Sequence, residues 1–388
     1  MKKNILTFFV LIIFEVAFFA KEIHANTPLI QTQYGFGVFV SATDPLQDLA
    51  KFKSDVDNSV SSHQQWIRTA IMSWEIALSG NSSGQITWND QNLAVYDEAI
   101  NYAYQKGLKI MVFVSGAPDW TSFWGNNYSF EDYQKVSINY WRFLAQRYKD
   151  KVDIWQVFNE ANGIHYRYFT PLTSLTNDYL SQMNTLLASA RQTIKQEDPT
   201  ARITTNSLGW PINDQQEEKW LQYFDAIKDN LDEITLDLYP DNNTTEINKL
   251  GTRVSNAFNR YSKPVIIGEI GVKTCTSCWG GLGEEIQKSF LPMSINQLKT
   301  GSPSIIFTYQ MRDRSTDLTS GEGTFGIKYN NGEQKIGYDA VMSAMKNLPG
   351  DFKQDNQVNI LDLQYFLTNF LHPYTIFDYN KLVENFGK

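Results

Sequence analysis

The chain has 388 residues, 42% of them hydrophobic and 14% aromatic, which excludes a disordered or fibrous protein and suffices for one large core. Its formal charge of −8, with no cluster of Lys and Arg, argues against a nucleic-acid partner and suits a neutral ligand.

The opening MKKNILTFFVLIIFEVAFFAKEIHA has two lysines, an apolar run broken only by Glu15, then small residues at Ala20 and Ala25. That is the layout of a secretory signal peptide, so residues 1–25 are excluded from the fold and a secreted or cell-surface location is expected. An uncleaved anchor is the alternative, since the run nears the length of a spanning helix. No membrane span is expected in the mature chain.

Eight short apolar or β-branched runs follow, at 34–42, 66–71, 108–116, 152–160, 201–209, 233–239, 263–271 and 302–310. Eight amphipathic helical patterns alternate with them, beginning at DPLQDLAKFKSDV and ending at KIGYDAVMSAMKNL. Eight strand-plus-helix units predict a (β/α)₈ barrel over 26–349, because parallel strands need helical crossovers and eight of them close. No Gly-rich nucleotide fingerprint follows any strand, which removes the main support for a dinucleotide-binding sheet.

The two cysteines, Cys275 and Cys278, form a single C-x-x-C, half of a structural zinc site. In an exported protein the pair reads as a local disulfide, with free thiols as the alternative. After residue 349 the pattern changes. NILDLQYFLTNF and TIFDYNKLVENF repeat one frame sixteen positions apart, so 350–388 is expected to be a separate helical module.

Chemistry in such a barrel sits at the C-terminal strand ends. Arg68 lies near the end of run two, Asn159 and Glu160 close run four, Asp237 and Tyr239 run six, Glu269 run seven, and Tyr309 run eight, with Arg312 and Asp313 beyond. Two glutamates on apolar strands are costly to bury unless they are used. Paired carboxylates are what glycoside hydrolysis requires. Trp74, Trp120, Trp124, Tyr166, Tyr168, Trp210 and Trp279 fall in loops on the same face, where flat rings match the apolar faces of sugars.

WIR at 66–68, FNEANG at 158–163, VIIGEIG at 265–271 and the stretch 307–341 resemble, in order, the retaining glycoside hydrolases of clan A, nearest to families 39 and 5. The resemblance implies a retaining β-glycosidase of poly- or oligosaccharides that needs no cofactor, with Glu160 as acid/base and Glu269 as nucleophile. It further implies that Asn159 holds the sugar 2-hydroxyl and that Arg68 and Tyr239 bond the nucleophile and keep it ionised. Trp74, Trp120, Trp124, Trp210, Trp279 and Tyr309 would complete the substrate-binding set, Tyr309 standing where many clan members place a Trp. His165 is a further candidate contact.

The tail resembles a dockerin, which implies a cohesin-like or cell-surface scaffold as partner through 350–388. Its calcium loop would use Asp351, Asp355, Asn359 and Asp362, but Lys353 puts an ammonium where an oxygen belongs and LHPY replaces the second loop. Weak or absent calcium binding is therefore expected. Two other classes compete: a carbohydrate-binding barrel without catalysis, and a metal-dependent barrel with Glu160 and Glu269 as ligands. Only four histidines occur, and His63 and His165 alone lie near strand ends, so no His-rich metal set supports the latter.

Overall fold

The computed structural model describes residues 32–37, 45–81, 83–116, 129–162, 175–278, 280–317, 319, 321–346, 360–368, 381–383 and 385–386. Thr32–Met345 form one compact unit, and the described residues of 346–388 belong to a second. The first unit is built on β1 (Gln33–Gly37), β2 (Trp66–Ile71), β5 (Lys109–Val114), β6 (Ile154–Val157), β7 (Arg202–Thr204), β8 (Asn206–Gly209), β9 (Ile234–Leu238), β10 (Val265–Ile270) and β11 (Ile305–Thr308). All pair in parallel, in the order β7-β6-β5-β2-β1-β11-β10-β9-β8.

The two ends of that order, β7 and β8, are successive pieces of one predicted run, parted at Thr205. The lower piece pairs with β6 and the upper with β9, so the sheet closes on itself as a (β/α)₈ barrel. Above the break, side chains span the widened gap between β6 and β8. Asn162 takes the place of a neighbouring strand there: its Oδ1 accepts from the Leu208 N–H at 2.6 Å and its Nδ2 donates to the Leu208 carbonyl at 3.2 Å.

All eight expected helices occur, and polar residues start five of them. Asn89, Ser129, Thr176, Asn213 and Asn243 each accept a backbone N–H of the first turn, satisfying donors that the helix cannot. A small antiparallel hairpin, β3 (Ala77–Gly80) with β4 (Ile86–Trp88), was not expected from the sequence. Its three- and four-residue strands are too short to show a period.

Alternate side chains divide between two cores. Ile67, Ile110, Trp155, Ile203, Ile234 and Ile306 pack outward under the helices, while Trp66, Met111, Ile154, Ile266, Ile305 and Phe307 fill the barrel interior. Above this plug the interior turns polar, with Arg68, Gln156, Asn206, Thr235 and Asp237 all fully buried.

Arg312 and Asp313, past the last strand, serve the scaffold. Arg312 pairs with buried Asp55 at 2.6 Å and Asp313 with buried Lys335 at 2.8 Å. Cys275 and Cys278 are bonded as expected. In the second unit the helix Ile360–Thr368 buries Asp362 and Phe366 and exposes Ile360 and Leu361. Asp351, Asp355 and Asn359 lie outside the described residues, as does the segment 1–25. Among the described residues no helix is long and apolar enough to cross a membrane.

Candidate active site

A cavity of about 240 Å³ opens at the C-terminal end of the barrel, lined by Asn159, Glu160, Leu208, Trp210, Tyr239, Glu269, Lys273, Tyr309, Arg314, Glu322 and Phe325. Two breaks in strand phase bring the glutamates into it. Along β10, strict alternation from inward Ile266 would turn Glu269 outward to the helices. A register shift against both neighbours between Ile267 and Ile270 inverts the phase, so Ile270 joins the outer core and Glu269 faces the barrel. Beyond β6, Phe158 adopts φ 67° and packs outward on Trp141, which turns Asn159 inward, and Glu160 follows at φ 49°. Two consecutive-but-one non-glycine residues in the left-handed region are a local cost that the surrounding bonds must cover.

Arg68 is the third residue of β2 rather than its end, and its length carries the guanidinium up through the barrel. Nη1 donates to Glu269 Oε1 at 2.8 Å, Nε to Gln156 Oε1 at 2.8 Å, and Nη2 to Asn159 Oδ1 at 3.1 Å. The Tyr239 hydroxyl donates to Glu269 Oε2 at 2.5 Å. Both oxygens of Glu269 thus accept, which is the bonding of a carboxylate. Burial first, and then the Glu269 charge, push the Tyr239 phenol well above its usual range, so it remains a donor.

Glu160 sits differently. Burial raises its carboxyl, with the Glu269 charge adding and Arg68 opposing, to about 8. At neutral pH Glu160 is therefore protonated, beside a Glu269 whose two oxygens both accept hydrogen bonds. Glu160, Asp237 and Glu269 each bring a carboxyl oxygen within 4.8 Å of the other two. Of the three, Glu269 has both oxygens engaged, by Arg68 and Tyr239, and Arg68 supplies the positive charge of the cluster.

Of the expected substrate-binding residues, Asn159, Trp210, Tyr239 and Tyr309 line the cavity, and Arg68 lies beneath it. Trp74, 56% exposed on the short helix Ser73–Ile76, is not among the lining residues. Trp120, Trp124, Trp279, His165, Tyr166 and Tyr168 lie outside the described residues. Sequence reasoning missed Gln156, Asn206, Lys273, Arg314, Glu322 and Phe325. Lys273 stands 5.4 Å from the ring centres of both Trp210 and Phe325 and pairs with Glu322 at 3.4 Å, while Arg314 donates to the Tyr309 hydroxyl at 3.0 Å. Their only sequence signal was position: Lys273 and Arg314 follow β10 and β11 by a few residues, and Glu322 and Phe325 lie further along the segment after β11. Asn206 and Gln156 could have been found as polar residues at inward positions of apolar strands.

The family model for cellulase, glycosyl hydrolase family 5, matches residues 47–288. The chain belongs to glycosyl hydrolase family 5. It is an O-glycosyl hydrolase, and the family's chemistry needs no cofactor. No curated protein matches it by sequence. Among solved structures it is similar to an exo-β-1,4-mannosidase from Opitutaceae bacterium strain TAV5 (13% identity, TM-score 0.62, covering 83% of this chain and 62% of that one). It is also similar to a GH5_18 protein of Streptomyces cattleya in complex with Manβ1-4GlcNAc (14%, 0.60, 81% and 80%). A family 39 glycoside hydrolase from the gut symbiont Bacteroides cellulosilyticus WH2 aligns at 15% with TM-score 0.58, over 82% of this chain and 63% of that one. At such identities these three speak for the shared barrel. The family 5 hydrolase is thus a (β/α)₈ enzyme with a carbohydrate substrate.

Proposed function

We propose that this hydrolase is a secreted retaining β-glycosidase in which Glu160 is the acid/base and Glu269 the nucleophile. The observation that carries the reading is the asymmetry of two carboxyl groups whose oxygens approach within 4.8 Å. That is near the separation of about 5–5.5 Å used in double displacement, and too narrow for the attacking water of an inverting enzyme. Protonated Glu160 gives its proton to the leaving oxygen as Glu269 attacks the anomeric carbon. The glycosyl-enzyme ester forms as the glycosidic bond breaks, and ionised Glu160 then takes a proton from water, which releases the sugar with its configuration retained. Asn159, its oxygen held by Arg68, Gln156 and Asn206, offers its amide NH₂ to the 2-hydroxyl. The mannosidase and the Manβ1-4GlcNAc complex among the similar structures favour β-linked manno-configured substrates.

Product NMR on a panel of 4-nitrophenyl β-glycosides tests this. The first-formed sugar should be the β-anomer. Glu269→Ala should lose all turnover. Glu160→Ala should still cleave the activated aglycone, and azide should restore its turnover as a β-glycosyl azide. An α-anomer, or azide rescue confined to the Glu269 variant, would overturn the assignment.

A further inference from the structure

A third carboxyl lies below the two already described and plays no part in the mechanism above. We propose that Asp237 is a positioning residue that works as an uncharged acid, holding Asn206 in the one orientation that sets both Glu160 and Asn159. The inference rests on the reading of Glu160 as acid/base.

Asn206 is the hub. Its Nδ2 donates to Asp237 Oδ2 and, at 2.8 Å, to Asn159 Oδ1, while its Oδ1 accepts from the Glu160 backbone N–H at 2.7 Å. Rotating that amide by half a turn would set donor against donor at Glu160 and acceptor against acceptor at Asn159. Asp237 lies at the base of this chain of bonds, and its Oδ2, accepting from the amide, supports the orientation that Glu160 and Asn159 require. Glu160 needs the support, because its backbone sits in the left-handed region.

The surroundings of Asp237 favour its neutral form. It is fully buried on β9, and Oδ1 has no hydrogen-bond partner among the described residues. It faces Glu269 across the β9–β10 register, Glu160 above β6, Arg68 from β2, Asn206 from β8 and Tyr239 from its own strand. Arg68, the one cation of this set, bonds Glu269, Gln156 and Asn159. As a second buried anion beside Glu269 it would have one donor, Asn206 Nδ2, and none at Oδ1 to replace the water lost there, whereas a neutral carboxyl carries the same orphan oxygen at much lower cost. Burial, and then the charge of Glu269, hold the group well above the usual carboxylate range, against Arg68. With Asp237 uncharged, Glu160 meets only one negative neighbour in the cluster.

Three measurements on the whole protein test this. Asp237→Leu should lower kcat about tenfold or more with KM within about twofold, because the acid is misplaced while the sugar pocket stays intact. Asp237→Asn, which keeps the acceptor and lacks a charge, should recover kcat to within about threefold of the parent, with the alkaline limb of kcat/KM unmoved. An Asp carboxyl-¹³C spectrum at pH 7 should contain a protonated resonance that is absent from Asp237→Asn. An ionised Asp237 in that spectrum, or an alkaline limb that moves down by about one unit or more in Asp237→Asn, would overturn the neutral-acid proposal. Leucine with full kcat would overturn the positioning role. Should the protein cleave none of the glycosides, the reading of the pocket fails, yet the spectrum still decides the charge. Hydrogen exchange at the Glu160 amide then decides the positioning: faster in the Leu variant and parental in the Asn variant if the proposal holds, equal in both if it does not.

Discussion

Glu160→Gln should make the protein more stable at pH 7 and leave its stability at pH 4.5 almost unchanged. Burial holds the Glu160 carboxyl near 8 in the folded state, against 4.5 for a free glutamate. Between those values the native state binds a proton that the unfolded chain has released, so stability falls as pH rises from about 4.5 and stops falling above about 8. At pH 7 the loss spans about two and a half units, an upper bound of about 3.4 kcal/mol at about 1.4 kcal/mol per unit. Glu160 lies at the mouth of a cavity and is partly exposed, so solvent screening reduces this to about 1.5–2 kcal/mol. Glutamine has nearly the shape of the protonated acid and cannot ionise, so it escapes the loss. Urea denaturation of both proteins at pH 4.5 and pH 7 measures it. Equal stability differences at the two pH values would refute the argument, because a pure packing effect has no reason to follow the proton.

Gly268→Ala should cost about 1–3 kcal/mol and most of the activity, since a Cβ there would come within 2.5 Å of Asp237 Oδ1 and 2.6 Å of the Thr235 methyl; melting temperature and aryl-glycoside turnover check it. Deleting residues 350–388 should leave a folded, active enzyme, because every residue lining the cavity belongs to Thr32–Met345. Loss of turnover on a soluble substrate by a truncated chain that is still folded would count against that boundary. The full chain should also show no submicromolar calcium binding by calorimetry, because Lys353 falls where the dockerin-like loop expected from the sequence would need an oxygen ligand.

The barrel was legible because it is written in periodicity. Runs such as WIRTAI and ITLDL lie between amphipathic stretches that open on Asn, Ser or Thr, and the structure follows them closely. Glu160 and Glu269 were legible by type and by place along the chain. Their orientation was not. Alternation alone would send Glu269 toward the helices, and only the shift beside Gly268 turns it inward. Phe158 at φ 67° does the same for Asn159, and nothing in a phenylalanine announces a left-handed backbone. Arg68 was recognised by resemblance, but its reach up to Glu269 sets it above a plug of Trp66, Met111 and Ile154. Asn206 and Gln156 belong to a network whose members are far apart in sequence and meet only when the ring is formed.

That last point bears on how the enzyme comes into being. The stretch 202–209 is the latch of the cylinder: its first half is held by the strand before it and its second half by the strand after it. Asn206, the first residue past the break, is also the one that grips Glu160 and Asn159. Until the latch is fastened, Glu160, the proposed acid, lacks the Asn206 bond, and an open, partly wound sheet would possess every chemical group of the site without this arrangement. On the proposed roles, catalytic competence is therefore a property of the sealed ring, and turnover serves as a gauge of whether the cylinder has shut.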